Sequence, residues 1–311
     1  MTINSNEEAV HAITETVGLL SNPGSYEQVY HRPQLNDEML SVKAIKEIME
    51  SLKEILFPGY FGNTSVRADT IQFHMGVSVD RLYKLLKTQI KRGYCFTCEH
   101  DNCDDCDRCR NNSDQIVIDF IKKLPEIREK LARDVHSMYL YDPAAKGYGE
   151  IIFAYPAIKA LTNYRVAHEL LKLGVPIIPR IISEMAHSDT GIDIHPGAQI
   201  GENFVIDHGT GVVIGETCII GNNVRIYQGV TLGARSFKLD QAGNPVKGIP
   251  RHPILEDDVI IYSGATILGR VTIGRSSIIG GNVWLTQDLP ANSKVVQGHP
   301  REMMFEMGGG I

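Results

Sequence analysis

The sequence predicts an α+β chain. An all-helical N-terminal domain (1–188) precedes a left-handed parallel β-helix (189–295), which carries an inserted loop (233–253) and is followed by a flexible tail (296–311). Three observations carry this reading. Apolar residues recur at helical spacing through the first half. From Ile192 onward they recur every six residues. Between two blocks of that repeat, residues 233–253 abandon it.

In the first half, Val42, Ile45, Ile48, Met49, Leu52, Ile55 and Leu56 form an amphipathic stripe behind Ser41, whose hydroxyl suits an N-cap. Val79, Leu82, Leu85, Leu86 and Ile90 form a second stripe behind Ser78. Residues 116–124 and 126–135 read as two helices, or as one kinked at Pro125. Pro156 suits a first helical turn and Gly174 the end of the same helix. A short helix around 180–186 leads into the repeat.

An α-helix needs a period of 3.6 and a strand a period of 2. A period of six fits short strands joined by tight corners and wound into a prism with the stripes inside. One stripe runs through Ile194, Ile200, Ile206, Val212, Cys218, Val224 and Val230, and a second through Ile214, Ile220, Ile226 and Leu232. The pattern resumes at Ile261, Ile267, Ile273, Ile279 and Leu285. Extended backwards, the second stripe calls for an aliphatic residue at 208, where the chain has His208. The interrupting segment carries Arg235, Lys238, Lys247 and Arg251 against Asp240. Loops this long inside a compact domain are often functional.

The chain has 311 residues and a formal net charge of −6, which argues against a general nucleic-acid or acidic-membrane binder. No signal peptide is legible at the start. No apolar run approaches the roughly 20 residues of a membrane helix, so a cytoplasmic location is expected. Cys218 sits on the repeat stripe as a small buried residue. Cys95, Cys98, Cys103, Cys106 and Cys109 lie within one fifteen-residue stretch, a spacing open to zinc, an iron–sulfur cluster, redox disulfides or free thiols.

The repeat alone is shared by sugar, nucleotide-sugar and antibiotic acetyltransferases and by γ-class carbonic anhydrases. DIHPGAQIG at 193–201, IDHGTGVVIGET at 206–217, VTLGA at 230–234 and RHP at 251–253 narrow it. With YDPAAK at 141–146 and YRVAHEL at 164–170, they resemble the serine O-acetyltransferase family, over roughly residues 115–295. That resemblance implies acetyl transfer from acetyl-CoA to L-serine, the first step of cysteine synthesis from serine.

Such a transfer needs a base, stabilisation of an oxyanion, and two substrates held in register. The resemblance makes His208 the base and pairs it with Asp193, which would fix its tautomer. It assigns the substrate ammonium to Asp142 and Asp207, and the carboxylate to Arg251 and His252. His195 is read as able to cap a coil. Family-like positions for acetyl-CoA are Gly233, Ala234, Ser263 and Gly281. Ile278 stands where many members have lysine, and the basic loop is longer than theirs. L-cysteine is expected as a competing feedback inhibitor, a trimer or a hexamer of two trimers as the assembly, and O-acetylserine sulfhydrylase as a partner reached through Ile311. The other readings are acetylation of another small hydroxyl compound such as a sugar, a metal-dependent hydratase, and a non-catalytic scaffold.

Overall fold

In the computed structural model, which describes residues 5–31, 39–62, 66–97 and 107–298, the six-residue period becomes three parallel sheets. Face one carries Asp193–Ile194, Val213–Ile214, Thr231–Gly233, Thr266–Leu268 and Trp284–Leu285. Face two carries Gln199–Ile200, Ile219–Ile220, Ile254–Leu255 and Thr272–Ile273. Face three carries Val205–Asp207, Arg225–Tyr227, Ile260–Ile261, Ile278–Ile279 and Lys294–Val295. Each strand is so short that one aliphatic residue points inward, and a second inward residue stands two positions earlier: Ala198 before Ile200, Phe204 before Ile206, Val224 before Ile226, all buried. These two rows fill the prism.

The register corrects one expectation. Val213 pairs with Thr231, 18 residues on, whereas Asp193 pairs with Val213 and Val205 with Arg225, 20 residues on. The first coil is therefore two residues longer. The surplus lies between the inward Ile206 and Ile214, which stand eight apart instead of six. Val212 belongs to the inner row that precedes each strand, so position 208 is a lengthened corner and not an inward slot. The inserted loop is as expected: Ile219 pairs with Ile254, 35 residues on against a coil of 18, a surplus of 17.

Two edges of the prism turn by left-handed backbone. Between faces two and three this falls on Asn203, Asn223, Asp258, Ser276 and Asn292. Asparagine tolerates this region, where other L-residues lose about 1–2 kcal/mol. The side chains form a ladder, with Asn203 donating to Asn223 and Asn223 to Asp258. Between faces three and one the turn falls on Gly211, Gly229, Gly264 and Asn282. The two glycines Gly229 and Gly264 stack so closely that a side-chain carbon on Gly229 would meet the Gly264 backbone at 3.4 Å.

The helical part comprises α1 (Ser5–Leu20), α2 (Pro23–Tyr26), α3 (Val42–Leu56), α4 (Ile71–Thr97), α5 (Asp107–Tyr141), α6 (Tyr148–Ala154), α7 (Pro156–Lys172) and α8 (Ile178–Thr190). Ser41 caps α3 by accepting the N–H of Ala44. Pro156 opens α7, and Gly174 just beyond it takes φ +77°. Ser78 lies inside α4 and does not cap it, because the helix starts seven residues earlier. Pro125 leaves α5 a single helix. Cys98, Cys103, Cys106 and Ile311 lie outside the described residues. Cys109 falls in the first turn of α5, and Cys95, in the last turn of α4, has no disulfide partner among the described residues.

The segment YRVAHEL welds this part to the prism. Tyr164 donates to Ala198 O (2.7 Å) and accepts the N–H of Ile200 (3.1 Å). Arg165 grips the fully buried Asp134 of α5 through two nitrogens and donates to Gly201 O. Asp134 also accepts the N–H of Phe204. His168 Nδ1 lies 2.8 Å from Pro196 O. Every polar side chain of this motif but Glu169 holds the first coil, which bears the lengthened corner.

Candidate active site

That corner carries the first group of site residues. His208 has φ +57°, and its ring stands out from the edge between faces three and one with 74% of the side chain exposed. Asp207 ends the face-three strand beside it, with Oδ1 3.9 Å from His208 Nε2. Asp142 follows α5 directly. Its Oδ1 accepts the N–H of Ala144 at 2.8 Å, an Asx turn that the Asp-Pro-Ala sequence favours, and its Oδ2 accepts the Tyr155 hydroxyl. These two donors, Tyr155 first, hold the Asp142 carboxyl below its usual range, and His208 adds to the effect. Asp142, Tyr155, Asp207, Arg225 and Tyr227 line one cleft. The Arg225 guanidinium lies 4.1 Å from the centre of the Tyr141 ring.

Ser263 and Gly281 follow His208 down the same edge. Successive corners are tied by Gly229 N–H to Thr210 O, Gly264 N–H to Gln228 O and Asn282 N–H to Ser263 O. A side-chain carbon on Gly281 would come within 3.2 Å of Ser263 O.

The second group gathers around face one and the edge towards face two. Arg251 Nη2 donates to Glu216 Oε2 at 2.7 Å. The backbone N–H groups of Arg251 and His252 both donate to Thr217 Oγ1. Thr217 N–H donates to His252 Nδ1 at 3.1 Å, which assigns the ring proton to Nε2. Burial first, and the neighbouring Arg251 second, push the His252 imidazole down to about 4. The ring fills space that only glycine leaves: a side-chain carbon on Gly215 would stand 2.1 Å from His252 Cδ2. His195 Nδ1 accepts the N–H of Gly197, so this histidine does cap its corner. Gly233 and Ala234 begin the inserted loop at this same edge, away from Ser263 and Gly281.

Asp193 belongs to this second group. It lies on face one beside Glu184 and His187 of α8, the ligand atoms of the three within 4.8 Å of one another. Among the described residues the only carboxylate in ion-pair reach of His208 is Asp207. The expected pairing of His208 with Asp193 is thus not made within one chain. Sequence reasoning also missed Tyr155, Arg225, Glu216 and Thr217. Glu216 and Thr217 lie inside the quoted IDHGTGVVIGET segment, but no spacing rule marks Tyr155 or Arg225 as neighbours of Asp142.

Residues 252–287 match the family model described as bacterial transferase hexapeptide (six repeats). The chain is 49% identical over 266 residues to the plasmid serine acetyltransferase of Synechococcus elongatus, covering 85% of this chain and 83% of that one. The chain belongs to the serine acetyltransferase family. It is therefore an acyltransferase. The crystal structure of Entamoeba histolytica serine acetyltransferase 1 in complex with L-cysteine superposes with a TM-score of 0.69 at 36% identity, over 84% of this chain and 88% of that one. That of isoform 3 of the same organism, in complex with cysteine, gives 0.70 at 34% identity, over 94% of each. Among the described residues no helix is long and apolar enough to cross a membrane.

Proposed function

We propose that this chain transfers the acetyl group of acetyl-CoA to the hydroxyl of L-serine, and that two copies of the chain complete each site. One observation carries the second part. His208 and Asp207 stand at one edge of the prism with Asp142 beside them, while Asp193 lies on face one and Arg251 and His252 at the edge beyond it. A ring of prisms brings unlike edges of neighbours together, and a closed ring of three matches a three-sided body.

In this reading Asp142 and Asp207 take the serine ammonium, and Arg251, steadied by Glu216, takes the carboxylate together with the Nε2–H of His252. His208 removes the serine hydroxyl proton as Oγ attacks the thioester carbonyl. The tetrahedral intermediate collapses with cleavage of the C–S bond, and the imidazolium returns its proton to the departing thiolate. Asp193 of the neighbouring copy holds the other ring nitrogen and supports the transient positive charge. The coenzyme chain runs down the edge past Ser263 and Gly281, where a larger side chain would block it. Arg235, Lys238 and Lys247 of the inserted loop are within the same protein's means for meeting its phosphates. L-cysteine has the ammonium and carboxylate of serine and competes for the same groups, in line with the cysteine-bound Entamoeba relatives.

Release of CoA from acetyl-CoA, measured with L-serine against a panel of sugars, tests the reaction. His208→Ala is expected to lower kcat by about two to four orders of magnitude, the usual span for a lost general base. Turnover with a sugar but not serine, or wild-type turnover in the variant, overturns the assignment.

A further inference from the structure

We propose that Tyr155 is a positioning residue for substrate recognition: its hydroxyl fixes Asp142 as the acceptor of the substrate ammonium and so sets the preference for amine-bearing substrates. The inference rests on the reading of Asp142 given above and adds a residue that the motifs do not contain.

The geometry is specific. Asp142 is the first residue after a 35-residue helix, at the start of a turn, where a short side chain has free rotamers to choose among. Two donors remove that freedom. The N–H of Ala144 takes Oδ1 from the residue's own turn, and the Tyr155 hydroxyl takes Oδ2 from the joint between α6 and α7. With one oxygen tied to each donor, the plane of the carboxylate is set, and its remaining lone pairs are left for an ammonium. Hydrogen bonds to a charged acceptor contribute about 1.5–3 kcal/mol each, twice the usual figure.

Tyr155 is itself held. It occupies the single extended residue between two helices, as the N-cap position of α7, with Pro156 fixing the backbone behind it. Its ring divides two clefts. One is the cleft of Asp142 and Asp207. The other, of about 320 Å3, is walled by Phe57, Phe61 and Phe153. The hydroxyl faces Asp142 with Asp207 and Glu150 also in electrostatic range, so it stays protonated and acts as a donor throughout the working range, pushed up to about 12 by the Asp142 hydrogen bond first and burial second. Its donation helps keep the Asp142 carboxyl ionised, as the partner of an ammonium must be.

Tyr155→Phe keeps the ring and both cleft walls and removes one oxygen. Steady-state kinetics of the full-length enzyme should show KM for L-serine raised about tenfold, with kcat and KM for acetyl-CoA within about twofold of wild type. 3-Hydroxypropionate, which is serine without its amine, should inhibit wild type and variant with equal constants, while L-cysteine should lose affinity in step with serine. A variant that binds serine like wild type, or one that loses 3-hydroxypropionate and serine equally, overturns the proposal. Equal melting temperatures by circular dichroism separate this effect from damage to the fold. If the wild-type enzyme shows no serine-dependent CoA release, the parent reading falls, whatever Tyr155 does.

Discussion

His252 is 7% exposed and still belongs to the group proposed to bind substrate. A buried neutral imidazole with Nδ1 occupied can only donate through Nε2, so burial dictates its chemical role. It also ties stability to pH. The folded value of about 4 lies below the ordinary 6.5, so the unfolded chain takes up the proton more readily. The stability due to the neutral ring is present in full above about 6.5 and is lost as pH falls from there towards about 4. His195 and His168 are lowered in the same sense, burial being the first cause in both. In His252→Asn the fall in melting temperature between pH 7 and pH 5 should be smaller than in wild type. Identical pH profiles of melting temperature for the two proteins would contradict this.

The elements next to the site differ in what holds them. The prism coils are tied to one another by backbone hydrogen bonds, and their inward rows are mostly aliphatic, with Phe204, Cys218 and the buried Ser277 among them. The first coil lacks a coil before it, and α7 takes that place. Its Tyr164 is 2% exposed and satisfies both a carbonyl and an N–H of the first coil with one hydroxyl. In Tyr164→Phe both backbone groups stay buried and lose their partner. The expected cost is about 1–3 kcal/mol, or a few degrees in melting temperature for a chain of this size. The variant should retain its KM for serine, because the site residues around Asp142 do not contact Tyr164. A melting temperature equal to wild type would show that water replaces the hydroxyl. The Arg165–Asp134 pair is a harder joint still: removing one partner of a buried pair typically costs about 3–5 kcal/mol.

For the whole molecule, the division of site residues between two edges makes a prediction that a single-chain site does not. His208→Ala leaves the Arg251 edge intact, and Arg251→Ala leaves the His208 edge intact. When the two inactive variants are unfolded, mixed in equal amounts and refolded together, about a quarter of the sites in random trimers combine two intact edges. Activity should recover to roughly that fraction of wild type, and each variant refolded alone should stay inactive. No recovery in mixed assemblies, with trimers demonstrated by light scattering, would place the whole site within one chain.

The sequence by itself determined the helical first part, the prism and the presence of a loop inserted in it, because a repeat of six imposes burial at fixed positions whatever surrounds it. Helix starts at Ser41 and Pro156 were legible for the same local reason: a cap or a ring acts within one turn. The start of α4 was not, since Thr70 and Ser78 are both residues that suit an N-cap, and only the structure places the start at Ile71. Only the tertiary structure decided that the first coil has two extra residues. Apolar positions at 206, 212 and 214 satisfy either register, and strand pairing across 20 residues is what chooses. It alone separated Asp193 from His208, because a spacing of fifteen residues on a coil says nothing of which face each side chain leaves. It alone joined Tyr155 to Asp142, through a turn and a short helix whose path no periodicity records.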